Sequence, residues 1–433
     1  MNAFSWIQRP LPTLADVMSA FVFYYPFLMA YIWMAGGLAF ALIFERRRHW
    51  HQNPVTLLPS TPMVSVLIPC YNEAAHIREV VRQLLRSRYP AFEIIAVNDG
   101  STDATGTLLD ELASLHPTHL RVVHNAHNQG KAVGLNTAAL LARGEYILGI
   151  DGDALLDTDA IGWLMDTMLE DHRVGAVTGN PRIRNRTTLL GRMQVGEFSA
   201  TIGLIKRCQQ LWGRLFTVSG VIAMFRRKAL LEVGLWHPGM MTEDIDVSWR
   251  LQLAGWRVCF QPRALAWILM PETLHGLWKQ RLRWALGGIQ TVLRHIPALL
   301  HWRQWRMWPL CMEYLLSVFW SYCFLCLTCM AIVARVVGTD VLPGWSTALL
   351  PHWHGALLGT TCVLQMLVSL WIDRYYDRDL LRYAVWTIWY PIAYWLINTV
   401  SIITAVPQAL LRSGAQRAIW RSPDRGIGTG ETT

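Results

Sequence analysis

Charged residues are scarce in this chain, which argues against an ordinary soluble protein. Asp, Glu, Lys and Arg make up 16% of the 433 residues, against a hydrophobic share of 53%. There is no internal repeat and no low-complexity tract, so solenoid and array architectures drop out. The 8 cysteines are scattered and give no disulfide framework, which places the main domain in a reducing compartment. Cys323-x-x-Cys326-x-x-Cys329 has metal-site spacing, but no His lies within it and its neighbours are Phe, Leu and Met. It reads as a set of small buried hydrophobes. Acidic residues are outnumbered, 30 against 39 basic ones, for a formal charge of +9. Positive charge alone would suit nucleic acid. Here Lys and Arg cluster beside apolar segments, as at the inner flanks of membrane spans, so no nucleic-acid partner is expected.

What is present in excess is apolar and aromatic. Trp occurs 22 times, a residue that favours bilayer interfaces and also stacks on sugar rings. Residues 18–44 form an uncharged run long enough to cross a bilayer, followed by Glu45-Arg46-Arg47-Arg48. The run is too long for a signal-peptide core, so it reads as a retained anchor, and the Arg cluster places the next segment in the cytoplasm. Residues 311–337, 355–372 and 384–410 read as further spans, and 274–310 as amphipathic helices at the interface. The expected division is therefore an anchor and linker (1–62), a globular domain (63–273), the interfacial stretch, a membrane region (311–410) and a polar tail (411–433). Paired polar residues or broken repeats within the spans, as a transporter would carry, are missing.

Between the anchor and the interfacial stretch, short apolar runs alternate with helical spacing. Strands are expected at 64–69, 93–97, 120–124 and 146–150, with helices at 75–88, 103–115 and 131–142. This βαβαβαβ rhythm predicts a parallel sheet with helices on both faces, and ligands at the carboxyl ends of its strands. Pro69, Asp99 and Asp151 fall at those ends.

The polar landmarks take their meaning from that frame. Asp151-Gly152-Asp153 presents two carboxylates to a hard divalent cation, which would neutralise a departing diphosphate. Asp99 is placed to bond a base or ribose, while Ser101 or Thr102 caps the next helix. Tyr71 and Glu73, after Pro69, suit a flat base and its ribose. Lys131 opens a helix, a position suited to phosphate. Thr242-Glu243-Asp244 offers a carboxylate to deprotonate an acceptor hydroxyl, with Asp244 the candidate and Glu243 and Asp246 the substitutes. Thr242 also reads as a helix N-cap. In Gln280-Arg281-Leu282-Arg283-Trp284, Trp284 suits a sugar ring, and Gln280 and Arg283 suit the diphosphate. A basic–aromatic membrane patch would have the same composition.

Taken in order, these residues resemble the D, D-x-D, T-E-D, Q-x-x-R-W set of processive inverting family 2 glycosyltransferases, such as cellulose, chitin and hyaluronan synthases. Longer runs, among them Ala96–Asp103, Ile150–Asp157, Val177–Arg184, Val218–Ala223 and Trp267–Leu274, are most similar to bacterial poly-β-1,6-N-acetyl-D-glucosamine synthases of biofilm exopolysaccharide. The resemblance implies an α/β GT-A-type (Rossmann-like) cytoplasmic domain inserted between transmembrane helices in a bacterial inner membrane. It implies UDP-N-acetylglucosamine as donor, Asp99 and Asp151 at UDP, Asp153 on Mg2+ or Mn2+, and Asp244 as general base. Gln280, Arg283 and Trp284 would border the acceptor and diphosphate. The growing polysaccharide would leave through the enzyme's own spans, beside a small membrane partner subunit and with cyclic di-GMP as a possible activator. Two departures stand out: one N-terminal span where relatives often have two, and Leu286 where a polar residue is common.

Overall fold

The computed structural model describes residues 13–45, 53–338 and 353–411. The Arg cluster at 46–48 and the polar tail lie outside the described residues. Helix α1 (Leu14–Phe40) comes first and ends in a π-turn, Ala41–Glu45. Next in the chain are β1 (Val64–Cys70), α2 (Ile77–Leu84), β2 (Phe92–Asp99), α3 (Thr105–Leu115), β3 (Leu120–Asn125), α4 (Lys131–Leu141) and β4 (Tyr146–Ile150). Each expected strand and helix of this stretch is present, with ends moved by a few residues. In α2, Ile77, Val80, Val81 and Leu84 are buried, the i, i+3, i+4, i+7 stripe of a helix laid on a sheet. Each such side chain contributes about 1.5–3 kcal/mol by leaving water.

The second half adds β5 (Leu155–Leu156), α5 (Ala160–Glu170), β6 (Val174–Ile183), α6 (Leu189–Phe198), α7 (Ile205–Leu211), β7 (Ile222–Arg226), α8 (Arg227–Glu232), α9 (Glu243–Leu253) and β8 (Arg257–Ile268). The eight strands make one sheet in the order β3-β2-β1-β4-β7-β6-β8-β5. Pairing is parallel through β3, β2, β1 and β4. The all-parallel expectation fails beyond that point, because β7 runs antiparallel to both β4 and β6, and β5 runs antiparallel to β8. Ile222 pairs with Ile150, so β7 enters the sheet at the edge where β4 ends. The turn at Ser219–Ile222 is thereby brought beside Asp151.

After the sheet come α10 (Leu274–Leu299), a 3-10 turn at Trp302–Met307, α11 (Trp308–Val337), α12 (Trp353–Asp373), a 3-10 stretch at Leu380–Trp389 and α13 (Tyr390–Leu411). Three helical stretches, Leu14–Glu45, Trp302–Val337 and His354–Asp373, are long and apolar enough to cross a membrane. The 384–410 stretch, expected as one span, is split by the 3-10 segment and leaves the shorter apolar helix Trp395–Leu411. Cys323 is buried against Val22 and Leu327 on α1 and α11. Cys326 and Cys329 are exposed, which corrects the expectation that the whole run is buried. A three-residue step falls about 60° short of a full helical turn, so each successive cysteine rotates off the packed face.

A buried polar cluster fastens the apolar helices α1 and α12 to the sheet. Glu45, at the end of the α1 π-turn, accepts from Arg207 Nε at 2.6 Å and from the Tyr376 hydroxyl at 2.8 Å. Asp373, at the end of α12, lies 2.8 Å from both Arg207 Nη1 and Arg182 Nη2. Four charges with less than one-tenth exposure are tolerated because each faces an opposite charge.

Candidate active site

The first two strand-end loops are sewn together. The Asn72 N–H donates to Ser101 Oγ at 3.0 Å, and the Thr102 N–H donates to Asn72 Oδ1 at 2.9 Å. The Glu73 N–H donates to Thr105 Oγ1 at 2.8 Å and the Ala74 N–H to Asp103 Oδ2 at 3.1 Å. Asn72 has φ +56°, a left-handed conformation that a short polar side chain tolerates. Ser101 and Thr102 therefore join loops and do not cap α3, whose N-cap residue is Ala104. Pro69 is buried in β1 beyond the last residue paired with β4, where its missing N–H breaks no bond to that strand. Tyr71 is half-buried on the same rim, and Glu73 is fully buried.

Asp99 is buried at the end of β2, with its carboxylate turned to the β3–α4 loop. It accepts from Asn125 Nδ2 at 2.8 Å, the Gln129 N–H at 3.0 Å and the Gly130 N–H at 2.8 Å. Gly130 sits at φ +96°, open to glycine and strained for other residues. Asp99 thus holds the loop that launches α4 and aims its first residue, Lys131, at the rim.

Lys131 is the electrostatic centre of the site. Its Nζ lies 2.5 Å from Asp151 Oδ1 and 3.3 Å from Glu243 Oε1. It also donates to the Gly220 carbonyl at 3.5 Å. Burial opposes its charge, but Asp151, Glu243 and Asp244 outweigh burial and hold its proton affinity well above the ordinary lysine value. Gly152 passes so close to Glu73 that an added Cβ would lie 2.9 Å from Glu73 Cγ. That contact presses the Asp151-Gly152-Asp153 turn onto the end of β1, with Asp153 buried. Among the described residues there is no group of three or more His, Cys, Asp and Glu side chains able to hold a metal. Asp151 and Asp153 fit a divalent ion of the kind bound by one or two carboxylates and completed by substrate phosphates and water.

Asp244 and Glu243 form the first turn of α9, facing Lys131. Asp244 Oδ2 accepts from the Gly220 N–H at 3.2 Å, and Oδ1 from the Ile245 N–H at 3.0 Å. Burial and the adjacent Glu243 push its carboxyl up to about 6, against the pull of Lys131 and Arg283. Asp246 is different. It is buried, bonded to Arg250 Nε at 2.8 Å and His295 Nε2 at 3.0 Å, so it fastens α9 to α10 and drops out as a substitute base. Burial raises its proton affinity, but His295 and Arg250 bring it below the ordinary carboxylate range.

The Gln280–Trp284 stretch lies on α10. Gln280 Nε2 contacts Met270 Sδ at 3.9 Å, and its buried Oε1 has no hydrogen-bond partner among the described residues. Arg283 is exposed and close enough to Asp244 to lower its proton affinity. Trp284 is half-buried, with the Arg281 guanidinium 4.4 Å over its ring and Phe198 6.4 Å away. Arg281 in turn meets Glu197 of α6 at 2.7 Å, a buried pair that seats α10. Thr242 occupies the N-cap position of α9 without a capping bond. Its buried hydroxyl is pressed against Gly287 of α10.

The arrangement brings Lys131, Asp151, Glu243 and Asp244 together on one rim, with Asp153 on the same turn as Asp151 and Arg283 facing Asp244. Asp99 and Glu73 act from behind it. Sequence reasoning missed Gly287, whose signal was two adjacent glycines inside a helix. It also missed Lys206, a buried lysine whose Nζ donates to Ser219 Oγ at 2.6 Å. Its only signal was a pair of adjacent cations, Lys206 and Arg207, in an otherwise uncharged helical stretch.

Residues 61–287 match the family model described as "Glycosyltransferase like family 2". The chain is 36% identical over 411 residues to a poly-β-1,6-N-acetyl-D-glucosamine synthase of Staphylococcus epidermidis, covering 94% of this chain and 98% of that protein. It is 36% identical over 406 residues to the protein of the same name from Staphylococcus aureus strain COL, again covering 94% and 98%. The fold is similar to that of a mannosyltransferase from Pyrobaculum calidifontis in complex with GDP-Man and Mn2+. The TM-score there is 0.62 at 21% identity, covering 92% of this chain and 98% of that one. The sheet is of GT-A type, and the chain belongs to glycosyltransferase family 2.

Proposed function

We propose that this enzyme transfers N-acetylglucosamine from UDP-N-acetylglucosamine to a growing β-1,6-linked poly-N-acetylglucosamine chain, with inversion at the sugar carbon. The observation that carries the reading is the convergence of Lys131, Asp151, Glu243 and Asp244 at one rim of the sheet. The polymer is supported by the names of relatives that match over 94% of the chain.

Asp244 is the general base. It takes the proton from the 6-hydroxyl of the terminal sugar as that oxygen bonds to C1 of the donor and the bond from C1 to the diphosphate oxygen breaks, releasing UDP. A carboxyl raised to about 6 is ionised at neutral pH yet basic enough to accept a proton. Asp151 and Asp153 would hold Mg2+ or Mn2+, and the bound ion would neutralise charge on the departing diphosphate. Lys131 adds a fixed cation there once the diphosphate competes for it with Asp151. Pro69, Tyr71, Glu73 and Asp99 shape the nucleoside wall, Asp99 by holding the loop that carries Lys131. Glu243 keeps Lys131 aimed, while Gln280, Arg283 and Trp284 border the acceptor and diphosphate.

The division of labour tracks the elements: anchor and linker through residue 62, the transferase domain 63–273, the α10 region to 310, and membrane helices to 410. The transferase domain faces the cytoplasm of a bacterial inner membrane. A small membrane partner subunit and cyclic di-GMP are the regulatory inputs to look for. Membranes carrying the protein, supplied with labelled UDP-N-acetylglucosamine and a divalent cation, should yield polymer degraded by a β-1,6-specific hexosaminidase. Polymer resistant to that enzyme but cleaved by chitinase or hyaluronidase overturns the linkage.

A further inference from the structure

Helix α7 buries two consecutive cations, Lys206 and Arg207. Burying even one cation demands a partner that offsets lost hydration. A π-turn at Ser199–Leu204 precedes α7. Such a turn inserts an extra residue and rotates the helix beyond it, and π-turns gather at functional sites. Arg207 turns to Glu45 and Asp373 at the ends of two membrane helices.

Lys206 turns the other way, toward the rim. Its Nζ donates to Ser219 Oγ at 2.6 Å, and its ammonium lies 6.0 Å over the Phe260 ring. Ser219 is held a second time, its N–H donating to Thr178 Oγ1 at 2.7 Å. The next residue, Gly220, donates its N–H to Asp244 Oδ2 at 3.2 Å and accepts from Lys131 at 3.5 Å. A Cβ on Gly220 would lie 3.2 Å from Lys131 Nζ and 3.3 Å from Asp244 Oδ2, so the peptide packs directly beneath both groups.

We propose that Lys206 is a positioning residue for Asp244, fixing through the Ser219 hydroxyl the Ser219–Gly220 peptide whose N–H holds the Asp244 carboxylate. The inference rests on the reading of Asp244 as base. Burial lowers the Lys206 ammonium to about 7, and Asp244 opposes that fall. The charged groups facing Asp244 are Glu243 on its own helix, Lys131 on α4, Arg283 on α10 and Lys206 on α7. Removing the Lys206 cation leaves Asp244 easier to protonate, so the acidic limb of the rate profile moves to higher pH.

The test compares Lys206→Met, Ser219→Ala and the double variant in membranes of the full chain, reading UDP release against pH and donor concentration. Lys206→Met should lower kcat about tenfold or more with little change in KM, as expected when a reacting group is displaced. Its acidic limb should move up, and Lys206→Arg should restore part of the rate. The double variant should lose no more than Lys206→Met, because both changes cut one link. An unchanged acidic limb in Lys206→Met, or losses that add in the double variant, overturn the proposal. If Lys206→Met does not reach the membrane, Ser219→Ala decides: a reduced kcat at unchanged KM supports the link, and a wild-type kcat overturns it. Asp244→Asn run alongside separates the two readings. An inactive Asp244→Asn beside a wild-type Lys206→Met removes the link alone, whereas an active Asp244→Asn removes the base and the link together.

Discussion

Gly287→Ala would add one methyl group where α10 crosses the start of α9. The new Cβ would lie 1.9 Å from Thr242 Oγ1, 2.6 Å from its Cγ2 and 2.7 Å from its Cβ. Ordinary carbon contacts begin near ~3.5 Å, so the two helices must part by roughly 1–1.5 Å or Thr242 must turn away. Thr242 is 4% exposed and β-branched, which leaves it few other rotamers. Overpacking of this kind costs about 1–3 kcal/mol. Ala in place of Gly in an open helix would instead stabilise by about 1 kcal/mol, so the two effects differ in sign. The shift lands on the turn bearing Glu243 and Asp244, where a displacement of about 1 Å can lower a rate about 100-fold. Thermal unfolding of detergent-solubilised protein and UDP release from membranes read the two consequences. A companion Thr242→Ala, which removes two of the three offending atoms, should recover part of both losses. Gly287→Ala with wild-type turnover and equal or higher stability would refute the close approach and the role given to it.

Two further outcomes depend on charge. With Asp244 as the proposed base, activity would need its carboxylate ionised, so with its carboxyl at about 6 the rate should fall as pH drops through that value. The loss should be about tenfold between pH 7 and pH 5, where an unshifted carboxylate would remain mostly ionised; a flat profile over that interval contradicts the shift. Arg207→Met would leave Glu45 buried beside a neutral side chain and should destabilise the fold by about 3–5 kcal/mol, read as a lower unfolding midpoint and poorer recovery from membranes. Wild-type thermal stability in that variant would mean that the cluster joining α1, α7 and α12 contributes little.

The first four strands were legible because their signal is local: runs of Val, Ile and Ala bounded by Gly, Asn and Asp, with helical spacing between. That frame carried Asp99 and Asp151 to the rim. The antiparallel entry of β7 was not legible, since Ile222 finds Ile150 across 72 residues of chain and no local pattern encodes which strand will be its neighbour. Side-chain direction was equally hidden. Asp99 looked free to meet a nucleoside but is engaged by the loop before Lys131, and Ser101 and Thr102 looked like caps but sew two loops together. Asp246 looked like an alternative base until His295, from a helix 49 residues away, proved to be its partner. Gly287 and Lys206 were missed for the same reason: each is explained by a residue distant in sequence, Thr242 for one and Ser219 for the other. The Gln280–Trp284 stretch was visible as a motif. Its composition did not reveal that Arg281 seats the helix while Arg283 faces Asp244.

The central claim is that Asp244 removes the acceptor's proton, and Asp244→Asn tests it most directly. The change keeps the shape of the side chain and removes the basic site, while its single carbonyl oxygen keeps one of the two bonds that the Gly220 and Ile245 N–H groups make to Oδ2 and Oδ1. Polymer formation and UDP release, measured at saturating UDP-N-acetylglucosamine with a divalent cation, should fall at least about 100-fold while donor binding stays near wild type. Asp244→Asn membranes that make polymer at close to the wild-type rate would contradict the account.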